Sequence, residues 1–162
     1  MASIKWYIGC SGFHYKEWKG IFYPEGLPQR SWFGYYGQHF NTIELNTTFY
    51  RFPRMEFLEK WYSMSPQEFS FAVKAPRLIT HFKQFKDSER LLYDFYSAVS
   101  GGLKEKLGTD LFQMPPKYEF TDERLTRIRE SLRPGFRNVI EFRHISWWNK
   151  FVYTSLGSDN II

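Results

Sequence analysis

Hydrophobic and polar positions along the chain alternate between a period of two and a period of three to four. Runs rich in β-branched and aromatic residues predict five strands, at residues 5–11, 41–49, 69–74, 110–114 and 138–143. Apolar residues at helical spacing lie between these runs. The pattern therefore predicts a repeating βα order, which is typical of a parallel sheet covered by helices.

Apolar stripes and end signals mark the predicted helices. The stripes cover residues 32–40, 57–61, 91–99, 125–132 and 149–156. Asp87 and Thr121 are expected to be N-caps of two of these helices, because a side-chain oxygen there accepts a hydrogen bond from a free backbone amide. Pro134-Gly135 is expected to stop one helix, and His39 to cap the end of another.

The spacing of the strands favours a segment of a closed barrel. Each βα unit takes about 33 residues, so eight units would need roughly 260, and the chain has 162 residues. We expect one α/β domain over residues 1–162, a partial TIM-type (β/α)8 barrel of about five parallel strands without its C-terminal units. Ile161 and Ile162 look like the first apolar positions of a further strand. An open doubly wound sheet is the alternative, but Gly9-Cys10-Ser11-Gly12 lacks the spacing of a phosphate-binding loop.

Aromatic residues are unusually frequent and cysteine is nearly absent. Phe, Tyr and Trp make up 21% of the chain, and rings left outside a core usually lie in clefts or contact surfaces. Cys10 is the single cysteine, which excludes an intrachain disulfide and favours a buried structural thiol. With no apolar stretch resembling a signal peptide or bilayer span, we expect a cytoplasmic protein without membrane contact.

The charge balance adds a modest signal. The formal net charge is +5, which favours anionic partners. Because the basic residues are interleaved with acidic ones, a solvated face is the more ordinary interpretation.

Polar side chains collect where the predicted strands end. Alternation along the second strand places Glu44 and Asn46 opposite Ile43 and Leu45. The carboxyl ends of parallel strands are where barrels place chemistry. The residues expected to converge there are Ser11, Glu44, Asn46, Lys74, Gln113, Glu141, Arg143 and His144.

A purely structural interpretation stands beside this one. Glu44, Lys74, Glu141 and Arg143 would also make sense as a buried ion-pair network, since a lone buried charge is costly. His144 suits a general base, a phosphate ligand or a histidine that holds its loop. The spacing Glu141-x-x-His144 is only a weak metal signal on a strand end.

Other histidines and aromatic residues have two interpretations each. His14, Tyr15 and Trp18 follow the first strand, where they would form a lid or a stacking surface over the pocket, or else pack ordinarily. His81 lies near Arg77 in a basic segment, for which a solvated loop is favoured over anion binding.

Six blocks of the sequence, taken in order, resemble the YecE-like family known as domain of unknown function 72. The blocks lie at residues 9–13, 18–24, 39–50, 71–76, 112–116 and 141–147. The resemblance covers essentially the whole chain and implies a TIM-type (β/α)8 barrel. It also implies three further βα units beyond the five present here.

The resemblance does not name an activity. Fold analogy alone points to metal-dependent barrels such as endonuclease IV and xylose isomerase, and a divalent metal is implied only in that way. One hypothesis is a hydrolase, nuclease-like or sugar-phosphate enzyme acting on an anionic substrate, either a phosphorylated small molecule or a nucleic-acid backbone.

Residue roles follow from that hypothesis. Lys74 and Arg143 would hold the anion, and Glu44 or Glu141 would be the general acid or base, assisted by His144. Tyr15 and Trp18 would exclude water or stack on a ring. The second hypothesis is a non-catalytic protein that binds a ligand or single-stranded nucleic acid. Because a barrel opened after five strands exposes sheet edges, we also expect self-association, instability or an inactive fragment.

Overall fold

Five parallel strands form one open sheet in the computed structural model, which describes residues 4–162. The strands are β1 (Gly9–Cys10), β2 (Thr42–Leu45), β3 (Ser70–Lys74), β4 (Leu107–Gln113) and β5 (Asn138–Glu141). They pair in chain order, β1 to β5, and every pair is parallel. Sequential order is that of a barrel, whereas doubly wound sheets reverse their order at a switch point. The predicted α/β partial barrel is therefore confirmed.

Six α-helices connect or follow these strands. They are α1 (Trp32–His39), α2 (Thr47–Tyr50), α3 (Met55–Met64), α4 (Glu89–Leu103), α5 (Asp122–Ser131) and α6 (Lys150–Ser158). The side chains of Thr121 and Asn149 accept hydrogen bonds from the amides of Arg124 and Val152 at 3.2 and 3.0 Å, so they cap α5 and α6. Across residues 4–162, no helix combines the length and hydropathy needed to cross a bilayer.

The segment before α4 differs from its prediction. Asp87 is not the N-cap, because α4 begins at Glu89 and Ser88 precedes it. Gln84, Phe85 and Asp87 all have positive φ angles, so the chain turns sharply there instead of entering a helix. The segment around His81 is a π-helical turn over Leu78–Lys83, where the sequence predicted a loop.

The first strand is much shorter than predicted, because the side chain of Asn41 forms backbone hydrogen bonds that a neighbouring strand would otherwise form. The amide group of Asn41 donates to the carbonyl of Trp6 at 2.7 Å and its Oδ1 accepts from the amide of Ile8 at 2.8 Å. Only Gly9–Cys10 therefore pair with β2. Gly9 is required there, since a Cβ would lie 2.0 Å from the carbonyl oxygen of Thr42.

The second and fifth strands also end early. The hydroxyl of Thr48 lies 2.8 Å from the carbonyl oxygen of Leu45 and 2.6 Å from that of Lys74. These contacts turn the chain into α2 and leave Thr48 buried and Thr47 exposed, the reverse of the predicted alternation. The fifth strand ends at Glu141, so Arg143 follows it on a loop.

Alternation separates the two faces of the sheet. One face is apolar and buried against the helices, with Ile43, Leu45, Phe71, Val73 and Phe112 in the core. On β2, β3 and β5 the opposite face carries Glu44, Lys74 and Glu141, which are half-buried. The prediction that Glu44, Lys74 and Glu141 lie on the face opposite the buried apolar residues is confirmed. This shared face brings the polar side chains together.

Residues after α6 already pair with β5. The amide of Ile162 donates to the carbonyl of Asn138 at 3.0 Å, and the amide of Ile140 donates to the carbonyl of Ile162 at 2.7 Å. Ile161 is buried. Ile162 is thus hydrogen-bonded to β5 as a further strand would be, whereas the amide of Ile161 donates to the carbonyl of Leu156 at 3.0 Å.

One carboxyl group is enclosed in the helix-facing layer. Asp110 of β4 is fully buried, and within residues 4–162 no donor lies within hydrogen-bond distance of either carboxyl oxygen. The Tyr96 hydroxyl donates instead to Oδ1 of Asn138 at 2.7 Å. Burial, and then the nearby Asp110 carboxyl, raise the pKa of Tyr96. Burial raises the pKa of Asp110 to about 7, because a charged carboxylate is costly away from water.

Replacement of Asp110 by Asn should remove one component of the pH dependence of stability. The folded protein holds the Asp110 proton up to about pH 7, whereas an unfolded aspartate loses it near pH 4, so wild-type stability falls between these values by up to about 4 kcal/mol. We expect urea unfolding from pH 4 to 8 to show a smaller fall for Asp110→Asn. The control Asp122→Asn, at an exposed position, should keep the wild-type slope, and an unchanged slope in Asp110→Asn would refute this assignment.

Candidate functional site

A cavity of about 600 Å³ lies at the carboxyl ends of the strands. Segments that follow β1, β2, β3 and β5 line it together with the last residue of β4. The lining residues are Ser11, Asn46, Phe49, Tyr50, Lys74, Arg77, His81, Phe82, Gln113 and Arg143. Five of them belong to the set predicted from the strand ends, so alternation along the strands located this cavity.

A serine and a glutamate are hydrogen-bonded at one side of the cavity. The hydroxyl of Ser11 donates to Oε1 of Glu44 at 2.6 Å, and its oxygen accepts from Nδ2 of Asn46 at 2.6 Å. Ser11 is exposed and lines the cavity, while Glu44 is half-buried behind it. A hydroxyl held between a carboxylate and an amide donor is oriented and can lose its proton to the carboxylate.

A second carboxylate organises the opposite side. Glu141 accepts a hydrogen bond from Nε2 of Gln113 at 2.6 Å and from Nε of Arg143 at 2.9 Å. Partial burial acts to raise the pKa of Glu141, but these two hydrogen bonds and the charges of Arg143 and Lys74 outweigh it and hold the pKa below its ordinary value. Glu141 is therefore ionised and fixes the side chains of Gln113 and Arg143.

Positive charge dominates the cavity wall. The ammonium of Lys74 lies 5.1 Å from the ring centre of Phe49. The guanidinium of Arg77 lies between two rings, 5.6 Å from Tyr50 and 5.4 Å from Phe82. Cation–π contacts hold these cations in place without neutralising them.

His81 is the fourth basic group of the wall. It is half-buried, its ring packs edge-on against Phe49 at 5.0 Å, and its Nδ1 lies 2.9 Å from the Thr80 hydroxyl. Burial, and then the charges of Arg143, Lys74 and Arg77, lower the pKa of His81. Burial and, after it, these cations therefore keep His81 neutral near pH 7.

Some predicted residues lie apart from the cavity. The Tyr15 hydroxyl donates to the carbonyl of Ser11, so it supports the loop from behind. The rings of Tyr15 and Trp18 lie 4.7 Å apart, and His14 packs 5.2 Å from Trp32. None of these three side chains lines the cavity.

His144 has a local partner. Its Nδ1 lies 2.8 Å from the Ser146 hydroxyl and accepts from the amide of Ser146 at 3.3 Å. This caps a short 3-10 turn over Ile145–Trp147. His144 does not line the cavity, so its predicted role in catalysis has no supporting contact here.

Five lining residues were missing from the predicted set. They are Phe49, Tyr50, Arg77, His81 and Phe82. Phe49 and Tyr50 were assigned to an over-long strand. Arg77 and His81 were taken as a solvated loop, although their four-residue spacing directly after the Lys74 strand end places both on one side of a helical turn.

Comparison with known proteins identifies the family. The family model described as protein of unknown function DUF72 matches residues 7–162. The chain belongs to the DUF72 family.

Curated DUF72 relatives are longer than this chain. It is 28% identical over 116 residues to UPF0759 protein YecE of Escherichia coli K12, which covers 71% of the chain and 42% of YecE. It is 28% identical over 154 residues to UPF0759 protein YunF of Bacillus subtilis 168, covering 91% of the chain and 54% of YunF. The chain thus spans about half the length of these relatives.

Solved DUF72 structures share the fold. A family protein from Thermotoga maritima superposes with a TM-score of 0.82 at 29% identity, over 96% of this chain and 62% of that one. A family protein from Enterococcus faecalis gives a TM-score of 0.68 at 22% identity, over 82% of this chain and 57% of that one. Both matches agree with an open segment of a larger DUF72 fold.

The residues of the site do not fit a divalent metal. Within residues 4–162 no three His, Cys, Asp or Glu side chains are grouped as metal ligands. Glu44 and Glu141 are engaged by Ser11, Gln113 and Arg143, and the wall beside them is cationic. A divalent cation would meet repulsion here, so this part of the DUF72 fold does not support the metal suggested by fold analogy.

Arg143 should control the titration of Glu141. In Arg143→Gln a hydrogen bond and a positive charge are lost, and the pKa of Glu141 should rise. Side-chain carboxyl NMR over a pH series measures this directly. The control Arg90→Gln removes the Arg90–Asp94 ion pair on α4 and should leave the pKa of Glu141 unchanged. An unchanged pKa of Glu141 in Arg143→Gln would show that Arg143 does not lower it.

Proposed function

We propose that the carboxyl-end cavity binds a phosphate-bearing ligand. The observation that carries the proposal is the meeting of three cations, Lys74, Arg77 and Arg143, on one cavity wall, with the neutral His81 beside them. Only Arg143 of these has a carboxylate partner among the described residues. The wall is therefore left with uncompensated positive charge, which a phosphate would neutralise.

The side chains are suited to different parts of such a ligand. Arg143 uses Nε for Glu141, which leaves its terminal nitrogens to form a fork around two phosphate oxygens. The guanidinium of Arg77 lies over the rings of Tyr50 and Phe82, and its N–H groups are suited to donate hydrogen bonds to phosphate oxygens. Lys74 contributes a point charge, and Gln113 and Asn46 contribute amide groups.

For an enzymatic reaction, Ser11 and Glu44 are the reactive pair that we propose. The Ser11 oxygen would attack the phosphorus of a bound phosphate ester while its proton passes to Glu44. The P–O bond to the ester's alcohol would break as the alcohol leaves with a proton returned by Glu44, and water would then hydrolyse the phosphoseryl bond. Glu141 would act as a positioning residue, because its hydrogen bonds fix Arg143 and Gln113. General acid chemistry by Glu141 fits poorly, since its lowered pKa keeps it ionised.

A phosphate group could belong to a small ester or to a nucleic-acid backbone. One observation favours the second source: Tyr50 and Phe82 are 66% and 68% exposed at the rim, where they flank Arg77. Exposed rings beside a cation are the elements that bind single-stranded nucleic acid.

Self-association through the open sheet and a cytoplasmic location stay predictions, and sedimentation would test the first.

Charge removal in the wall should weaken phosphate binding. We expect Lys74→Gln and Arg77→Gln each to raise the Kd of inorganic phosphate about tenfold, since each removes one charge-assisted contact. Calorimetric titration measures this, with Lys117→Gln as the exposed control that keeps wild-type affinity. A tighter, salt-sensitive complex with oligothymidylate would assign the phosphate to nucleic acid. Equal affinities in all variants would contradict the proposal.

Glu44 should be needed for turnover and not for binding. In Glu44→Gln the amide cannot take the Ser11 proton, so hydrolysis of p-nitrophenyl phosphate or of its bis-ester should fall about a hundredfold, with phosphate affinity unchanged. Asp94→Asn is the matched control. Turnover of either ester that survives in Glu44→Gln would remove Glu44 from the reaction and leave the binding proposal intact.

A further inference from the structure

An apolar groove lies outside the carboxyl-end cavity, in the crossover from β2 to β3. Its volume is about 900 Å³, larger than the cavity described above. The helices α2 and α3 and the segment between them form its walls. The lining residues are Thr47, Thr48, Tyr50, Arg51, Phe52, Pro53, Arg54, Phe57, Leu58, Lys60, Trp61 and Met64.

One face of α3 presents an open apolar stripe to this groove. Phe57, Trp61 and Met64 lie at positions i, i+4 and i+7, which fall on one side of a helix. Phe57 is 52% exposed and Met64 is 46% exposed. A helix face with this spacing normally packs against a partner element.

The fold uses only part of this stripe, because Trp61 packs against the hydrophobic core whereas Phe57 and Met64 are exposed. Leu58 also lines the groove, but it is buried so tightly against α4 that a Cβ on Gly102 would lie 2.5 Å from its Cβ. The open edges of the sheet are β1 and β5, whereas the groove belongs to the crossover between β2 and β3. Extension of the sheet at either edge would therefore not fill the groove.

The charged residues that line the groove are all basic. Arg51, Arg54 and Lys60 line it, and no acidic residue of the described chain does. None of the three forms an ion pair within residues 4–162. Lys60 lies 5.6 Å from the ring centre of Phe57, so positive charge borders the apolar stripe directly.

We propose that this groove binds an acidic amphipathic helix of another protein. Leu-type side chains of the helix would enter between Phe57, Trp61 and Met64, and its carboxylates would meet the three cations. The stripe spans seven residues, or about 10 Å, so two to three turns of helix suffice. A second copy of this chain is disfavoured as occupant, because each copy carries a net charge of +5.

The probe is a fluorescein-labelled 14-residue peptide with Leu at helical i, i+3, i+4 and i+7 spacing and Glu at the other positions. Fluorescence anisotropy should detect its binding to the full chain. A matched peptide with Lys in place of Glu should not bind. We expect Phe57→Ser and Lys60→Glu each to weaken the Glu peptide about tenfold.

Matched controls exclude unfolding and general stickiness. Phe151→Ser on α6 and Lys117→Glu remove an exposed ring and an exposed cation elsewhere, and both should keep wild-type affinity. If circular dichroism shows that Phe57→Ser loses helix content, Met64→Ser takes its place. Met64 is exposed, and its replacement should weaken binding of the Glu peptide to the same extent. Tyr50 is left unchanged, because it also lines the carboxyl-end cavity.

Three results would overturn the proposal. The first is equal binding of the Glu and Lys peptides, and the second is a loss of affinity in the control variants as large as in Phe57→Ser. The third is a dimer, seen by sedimentation without peptide, that Phe57→Ser dissociates, because the groove would then belong to a second copy.

Discussion

The structure depends on a parallel sheet whose two faces have opposite character. Phe71 and Val73 turn their side chains into a helix-covered core, so Lys74, the next residue along β3, must turn the other way. The register sets Glu44 beside Ala72, Lys74 beside Leu111 and Gln113 beside Glu141. Burial of the apolar face thus fixes where the charges lie, since a shift of one residue would exchange the faces of the whole strand.

Period-two alternation in the sequence was sufficient to predict the sheet and half of the residues that line the cavity. The predicted strand ends were wrong where side chains replace the backbone hydrogen bonds between strands. Asn41 satisfies the backbone of residues 6 and 8, and Thr48 ends β2 by contacts with two carbonyls. Neither effect leaves a periodic signal. The π-helical turn over Leu78–Lys83 was missed because the basic residues of this segment were interpreted as a solvated loop, and with it Arg77 and His81 were missed.

Electrostatics distinguish the two surfaces for which binding is proposed. In the carboxyl-end cavity a single carboxylate, Glu141, organises Arg143 and Gln113, and the remaining cations are held by rings. In the groove along α3 the cations flank an apolar stripe, and no carboxylate among residues 4–162 lines it. The cavity therefore suits a compact anion with several oxygens, whereas the groove suits a longer occupant with separate apolar and acidic parts. Tyr50 lines both and separates them.

Assigned NMR spectra recorded during titration with inorganic phosphate would show directly whether the carboxyl-end cavity binds phosphate. A second cavity near the amino ends of the strands, lined by Lys5, Lys104 and Arg137 together with Glu68 and Glu105, provides an internal comparison in the same sample. We expect phosphate binding in the carboxyl-end cavity to cause saturable shifts at the side chains of Lys74, Arg77, His81 and Arg143. Shifts centred on Lys5, Lys104 and Arg137, or weak shifts spread evenly over surface lysines and arginines, would contradict it.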